Sequence, residues 1–186
     1  MSLLNAKDAQ TMNGGYSFSL AFRIRRVIWN ISWLVLARWT PVPFHGWRRA
    51  ILRAFGAKIG KGVRIYPCAM IWYPSHLTME DLSWLGRKAN CYNQGHIHIG
   101  YRAVISQGAH LCASSHDLSD FYFQLILRPI RIEANAWIAA EAFVGPGVTI
   151  GEGAVLGARG VAFRDLEPWS VYSGNPAQYL KTRVMK

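Results

Sequence analysis

Branched aliphatic residues recur every sixth position in the stretch Val144–Val161, as Val144, Ile150 and Leu156, and a glycine follows each. A period of six fits neither a helical face nor a simple alternating strand. It fits a solenoid whose coils are each built from three short flat segments, with glycine where the backbone turns a corner. The same unit runs through Ile59, Ile65 and Ile71, then Met79, Leu85 and Cys91, then Ile99, Ile105 and Leu111, and resumes at Ile132 and Ile138. The pattern predicts an all-β solenoid, a parallel β-helix of about five coils over residues 59–167, with coils starting at 59, 79, 99, 132 and 150.

Three hexapeptides make 18 residues, whereas successive coil starts lie 20, 20, 33 and 18 apart. All the surplus falls after the third hexapeptide of a coil. In the third coil it is the segment Asp117–Arg131, which predicts a long loop extruded from one corner, and loops of that length are often functional. The last residues of the third hexapeptides are His76, His96 and His116, twenty apart. Their spacing predicts a stack along one corner at the strand separation of about 4.8 Å, continuing at Thr149.

Ahead of the solenoid the pattern changes. Residues 1–17 are polar and predicted to be loosely ordered. From Ser19 to before Pro41 the chain reads as a helix, with Arg23, Arg26 and Asn30 on one narrow face and Phe22, Ile24, Ile28, Ile31, Leu34 and Val35 around it. A second helix, about Trp47–Phe55, carries Arg48, Arg49 and Arg53 opposite Ile51, Leu52 and Phe55, with Gly56 as its cap. Two roles fit this segment, 1–58, and can coexist. It can cap the open end of the solenoid, or it can touch a membrane, since Trp29, Trp33, Trp39 and Trp47 interleaved with arginine suit an anionic headgroup interface. Residues 168–186 form a C-terminal turn and basic tail.

Composition narrows the class. With 51% hydrophobic and 17% charged residues the chain is not disordered. Its formal charge of +11 calls for an anionic partner. Nucleic acid is the weakest candidate, because no zinc-finger, helix-turn-helix, KH or RRM signature is present. Cys68, Cys91 and Cys112 form no CxxC pair and suggest a reduced protein. The longest apolar run, Val27–Ala37, is interrupted by Asn30 and Ser32, is too short to cross a membrane, and lacks a cleavage site after it. The expectation is a cytoplasmic protein, peripheral at the inner face of the membrane if it meets one.

The residues then resemble a known family. Leu52–Gly62, Ile105-Ser-Gln107, Leu111-Cys-Ala-Ser-Ser-His-Asp117, Ala136-Trp-Ile-Ala139, Val144–Gly151 and Pro168-Trp-Ser-Val-Tyr-Ser-Gly-Asn-Pro-Ala177 are similar to hexapeptide-repeat acyltransferases. The nearest branch is the colanic-acid-type acetyltransferases of exopolysaccharide synthesis, with galactoside and maltose acetyltransferases more distant. The resemblance implies a left-handed β-helix and a homotrimer with active sites between subunits. It implies acetyl-CoA as co-substrate, no metal, and a saccharide, nucleotide-sugar or lipid-linked sugar as acceptor. It assigns His116 as catalytic base, with Asp117 placed to hold its tautomer. It points to Tyr92, Asn93 and His96 for the acceptor, and to Trp137, Gly157, Ala158, Lys181 and Arg183 for CoA. Gly160 and Phe163 depart from the family, whose members commonly carry Ser and Thr there.

The chemistry requires a base in any case: a sugar hydroxyl attacks a thioester only as its proton leaves, and imidazole titrates near neutrality. The resulting oxyanion needs a donor such as a backbone N–H, which Ser114 or Ser115 can present. A γ-carbonic-anhydrase-like zinc enzyme on the same fold is a rival reading, invited by the histidine column and His98, though His110 and His116 lack its spacing. A non-catalytic trimeric binding protein is another.

Overall fold

The computed structural model describes residues 3–185. The solenoid follows the six-residue unit closely. On the first face, Ile59, Met79, Ile99, Ile132 and Ile150 stack in parallel register. Ile65, Leu85, Ile105, Ile138 and Leu156 do so on the second face, and Ile71, Cys91, Leu111, Val144 and Ala162 on the third. These columns point inward and form the core; most of their members are fully buried. The stack continues beyond the five expected coils, because Leu166 bridges Ile150 and Val171–Tyr172 pair with Val155–Leu156. The segment after Phe163 is thus a partial sixth coil. It closes with a hairpin between Ser170–Ser173 and Gln178–Thr182.

The histidine column forms only in its first two members. Leu77 pairs with Ile97, which sets His76 beside His96, but Ile97 pairs with Ile130, so the residue beside His96 in the next coil is Pro129. The chain leaves the coil after Ala113, three residues earlier than expected. Ser114–His116 run out antiparallel to Leu125–Leu127, and the chain rejoins at Arg128, whose N–H bonds to the Ala113 carbonyl. His116 therefore stands on an extruded hairpin rather than on the corner. Equal sequence spacing gives equal position only while the backbone stays on the coil. Thr149 likewise stacks on Arg131 and, through it, His98 and Thr78.

The N-terminal segment contributes three helices, α1 (Ala6–Ala9), α2 (Leu20–Leu36) and α3 (His45–Ala54). The expected looseness of the first residues is not what forms. The backbone N–H of Ala6 bonds to Gln124 at 2.6 Å and the Thr11 hydroxyl to the Tyr122 carbonyl, so this segment is docked on the hairpin.

α3 explains how the solenoid starts. Each coil donates its N–H groups to carbonyls of the next, as Gly60, Arg64 and Tyr66 do to Met79, Ser83 and Leu85. Carbonyls of the first coil have no earlier coil to pair with, and buried unpaired carbonyls are costly. Three arginines of α3 satisfy them. Arg48 reaches Ile65 at 2.6 Å, Arg49 reaches Val63 at 2.9 Å, and Arg53 reaches Ile59 at 2.7 and 3.0 Å. Arg48 is fully buried and also donates to Thr40, Pro41 and Val42. The basic face of α3 is a cap of hydrogen-bond donors.

α2 lies against the third face of the first coils. Phe22, Trp29 and Trp33 are its buried residues, and the Trp29 indole donates to the Ile71 carbonyl at 2.7 Å. The rest of its apolar surface is uncovered. Leu20, Ile24, Val27, Ile28, Ile31, Leu34 and Val35 are each 48–65% exposed, and Trp39 just beyond the helix is 80% exposed. No helix among the described residues is long and apolar enough to cross a membrane.

Candidate active site

The hairpin carries His116 at the outer end of its ladder, opposite Leu125. The His116 Nδ1 lies 2.7 Å from the Phe123 carbonyl oxygen. A carbonyl only accepts, so Nδ1 carries a proton, and in the neutral imidazole Nε2 then keeps its lone pair. That is the tautomer a general base needs. The expected partner, Asp117, does not supply it. The Asp117 carboxylate accepts from the N–H of Ser119 at 2.9 Å and its hydroxyl at 2.6 Å, closing the hairpin turn. Those bonds hold the carboxyl below its usual range. A residue adjacent in sequence on a strand points to the opposite side, which is why the backbone of Phe123 takes the role.

His116 lines a cavity of about 490 Å³ together with Tyr16, Arg23, Arg26, Tyr92 and Ser115. Tyr92 thus shares a cavity with His116. Its hydroxyl accepts from the Gln94 amide at 3.0 Å, and burial raises its pKa. Asn93 is not available to a substrate. It is fully buried, its amide oxygen accepting from the N–H groups of Trp72 and Tyr73 and its nitrogen donating to the Tyr73 carbonyl. Asn93 is the brace of a coil corner. His96 is outside the cavity, on the rim of the first face near Thr78 at 3.0 Å; burial, then His76 and His98, lower its pKa. Among the described residues no group of three or more His, Cys, Asp and Glu side chains is placed to hold a metal ion, and His98 meets Glu80 at 3.3 Å.

Arg23, Arg26 and Tyr16 were not anticipated at the site. The sequence did mark the two arginines, as the narrow polar face of α2, but amphipathic logic turns such a face to solvent. Here it is turned inward, because Phe22, Trp29 and Trp33 on the same side make the contact with the solenoid.

The residues expected to hold CoA gather elsewhere. Trp137 stands on the second face, 44% exposed, its indole donating to Ser106 at 2.9 Å. It shares a smaller cavity with Arg102, Asn135 and Arg183. Arg183 donates to the carbonyls of Asn135 and Gly153 at 2.9 and 2.8 Å. Gly157 and Ala158 lie at the next corner on the same face, Gly157 bonded to the Tyr172 carbonyl at 2.8 Å and Ala158 exposed. Lys181 is exposed on the closing hairpin. Of the two departures, Gly160 is packed so that a Cβ would lie 2.8 Å from Leu156, and Phe163 is exposed against Phe143.

None of these five residues lines the His116 cavity. The hairpin emerges between the third and first faces. In a triangular section the second face is opposite that corner. The residues expected to hold CoA therefore lie on the side of the chain opposite His116.

No protein-family model matches the chain. It is 42% identical over 174 residues to a protein of Escherichia coli K12 named provisionally as the colanic acid biosynthesis acetyltransferase WcaF, covering 91% of this chain and 96% of that one. Among solved structures, a maltose O-acetyltransferase of Clostridium difficile superposes with TM-score 0.82 at 20% identity, covering 92% of each chain. A hexapeptide-repeat acetyltransferase of Vibrio cholerae, complexed with acetyl-CoA, superposes with TM-score 0.80 at 21% identity, covering 98% of this chain and 100% of that one. A galactoside acetyltransferase in complex with coenzyme A superposes with TM-score 0.79 at 19% identity, covering 90% and 85%. These structures share the left-handed β-helix.

Proposed function

Because the chain belongs to the colanic-acid-type family of hexapeptide-repeat acetyltransferases, we propose that it moves an acetyl group from acetyl-CoA to a sugar hydroxyl in surface-polysaccharide synthesis, with His116 as general base. The observation that carries the role of His116 is the 2.7 Å contact of Nδ1 with the Phe123 carbonyl, in a side chain that lines a cavity. Nε2 takes the proton of the acceptor hydroxyl as its oxygen bonds to the thioester carbon. The tetrahedral oxyanion collapses, the C–S bond breaks, and the imidazolium returns its proton to the departing CoA thiolate. Nothing is left on the enzyme.

The separation of the two half-sites supports a homotrimer in which the Trp137 face of one chain meets the His116 corner of its neighbour. Trp137, Gly157 and Ala158 would line the pantetheine arm. Arg102, Lys181 and Arg183 would face the CoA phosphates, one terminal nitrogen of Arg183 being anchored on the Asn135 and Gly153 carbonyls and its remaining N–H groups left for the ligand.

The outward face of α2 supports peripheral contact with an anionic membrane at its inner, cytoplasmic side. It is wholly aliphatic, is bordered by the exposed Arg25 and followed by Arg38 and Trp39, and belongs to a chain of charge +11. Co-sedimentation with phosphatidylglycerol vesicles, weakened by salt and absent with phosphatidylcholine, is the expected result. Concentration-dependent association without vesicle binding would give this face to a second copy of the chain.

The experiment for the reaction is thiol release from acetyl-CoA against a panel of saccharides. Replacing His116 by Ala should lower kcat roughly 10²–10⁴-fold with the circular dichroism spectrum unchanged. A loss under about threefold would remove His116 from the mechanism.

A further inference from the structure

Two cations face the His116 cavity and have no anion. Arg23 and Arg26, one turn apart on α2, both line it. The ion pairs among the described residues are His98–Glu80, Arg131–Glu133 and Arg159–Glu141, none of which involves them. No Asp or Glu lines the cavity. Arg26 Nε is buried without any hydrogen-bond partner, and desolvation lowers the pKa of this guanidinium. Withdrawing a cation from water without a counter-charge is unfavourable.

Both guanidinium groups are nevertheless held in place. Arg23 lies over the Tyr16 ring at 3.4 Å and Arg26 over the Trp72 ring at 4.1 Å. An aromatic face fixes the plane of a guanidinium and leaves its in-plane N–H groups free, the arrangement suited to a tetrahedral oxyanion. A second cavity, of about 400 Å³, shares Arg26 and Tyr92 with the first and continues along α2 past Trp29 and Trp33 to Arg38. Arg26 sits where the two meet, and Arg23 lies beside it on the first cavity.

Resting on the acetyl-transfer reading above, we propose that Arg23 and Arg26 bind a phosphate or diphosphate of the acceptor, so that the substrate is a phosphate-linked sugar and not a neutral saccharide. The sugar hydroxyl lies at His116, the phosphate at the arginine pair, and the aglycone extends into the second cavity. The phosphates of CoA do not serve as this anion, because the pantetheine arm separates them from the thioester that must reach His116. Two sources share this chemistry, a nucleoside diphosphate and a prenyl diphosphate. The aromatic lining of the second cavity accepts either.

Two measurements test the assignment. Isothermal titration of inorganic pyrophosphate into the full-length His116→Ala protein reads the anion site without any turnover. Binding that weakens on the order of 10–100-fold in Arg26→Gln, and similarly in Arg23→Gln, is expected. Binding unchanged in both variants, or absent from the parent, overturns the site. Arg23→Gln alters the more peripheral arginine and keeps the test decisive if Arg26→Gln melts early.

Thiol release is then compared for a nucleoside-diphosphate sugar, a short-chain prenyl-diphosphate sugar and the corresponding free sugar. A phosphate-linked acceptor preferred by at least tenfold in kcat/KM, with the preference lost in Arg23→Gln, supports the proposal, and whichever arm is preferred names the source. Equal turnover of the free sugar, or preference for an uronate carboxylate, overturns it. Pyrophosphate binding with no turnover on any acceptor would contradict the acetyl-transfer reading and leave the anion site standing.

Discussion

The solenoid and α2 obey opposite rules of burial. In the coils every sixth residue is aliphatic, points inward and disappears from solvent, while the charged residues stand outside. In α2 the aliphatic residues stand outside and two arginines point in. The coils are organised by a core that belongs to this chain alone. The helix has no such core: two arginines outside any ion pair face inward, and an aliphatic face lies open outward. Its place is set by a few aromatic residues, Phe22, Trp29 and Trp33, which are enough to dock it.

Mutations at matched aliphatic positions should separate these regimes sharply. Leu111→Ala, in the core column, is expected to cost about 2–5 kcal/mol of stability and to be seen in thermal melts. An equally large loss is expected from Arg48→Ala, the exception that belongs to the solenoid. It takes a donor from the half-exposed carbonyls of Pro41 and Val42 and leaves the buried Ile65 carbonyl only the His45 ring, while stranding the pocket the guanidinium filled, at about 1–3 kcal/mol for a buried group left unpaired. By contrast, Ile28→Lys with Ile31→Lys should change stability by only about 0.5 kcal/mol, while abolishing vesicle binding. If that double variant melts like a core mutant, the outward face is covered and the contrast fails.

A smaller effect is expected from Asp117→Ala. Its carboxylate serves the Ser119 turn, so kcat should fall by less than about tenfold, far short of the loss expected for His116→Ala. A loss equal to that of His116→Ala would return Asp117 to the mechanism. The smallest expected effect is on pH dependence. Burial lowers the pKa of His110 and His45 in the folded protein, so the unfolded chain binds protons more readily there. Stability should therefore be level above the ordinary histidine range and fall as pH drops below about 6.5. His110→Asn should flatten that fall, as measured by urea midpoints across pH.

Legibility followed the same division. The six-residue unit placed its repeat positions from Ile59 to Leu156 in register, because one residue type recurring at one interval is what a repeated packing environment leaves behind. It misplaced His116 within the architecture because a count of residues does not record where a chain leaves its coil. That departure is set by the Ala113–Arg128 backbone pairing. Asn93 and Asp117 have partners the sequence did not disclose, for a related cause. A polar side chain near a site is as readily spent on a corner or turn as on a substrate, and only hydrogen-bond partners tell the two apart. The inward arginines of α2 were visible as a face but not as a direction, since direction depended on three aromatic residues finding the third face.

The central claim is that one active site is built from two chains, His116 from one and the Ala158 corner from its neighbour. It is tested by co-expressing His116→Ala with Ala158→Trp, a variant at an exposed position meant to block the pantetheine path, and isolating doubly tagged oligomers. Each parent alone should be inactive. In each mixed trimer one site of the three, roughly a third, pairs an intact histidine with an intact donor corner, so thiol release should return to about that fraction. No recovery in verified mixed oligomers would mean that both halves must reside in the same chain, and an active Ala158→Trp parent would take the donor away from that corner.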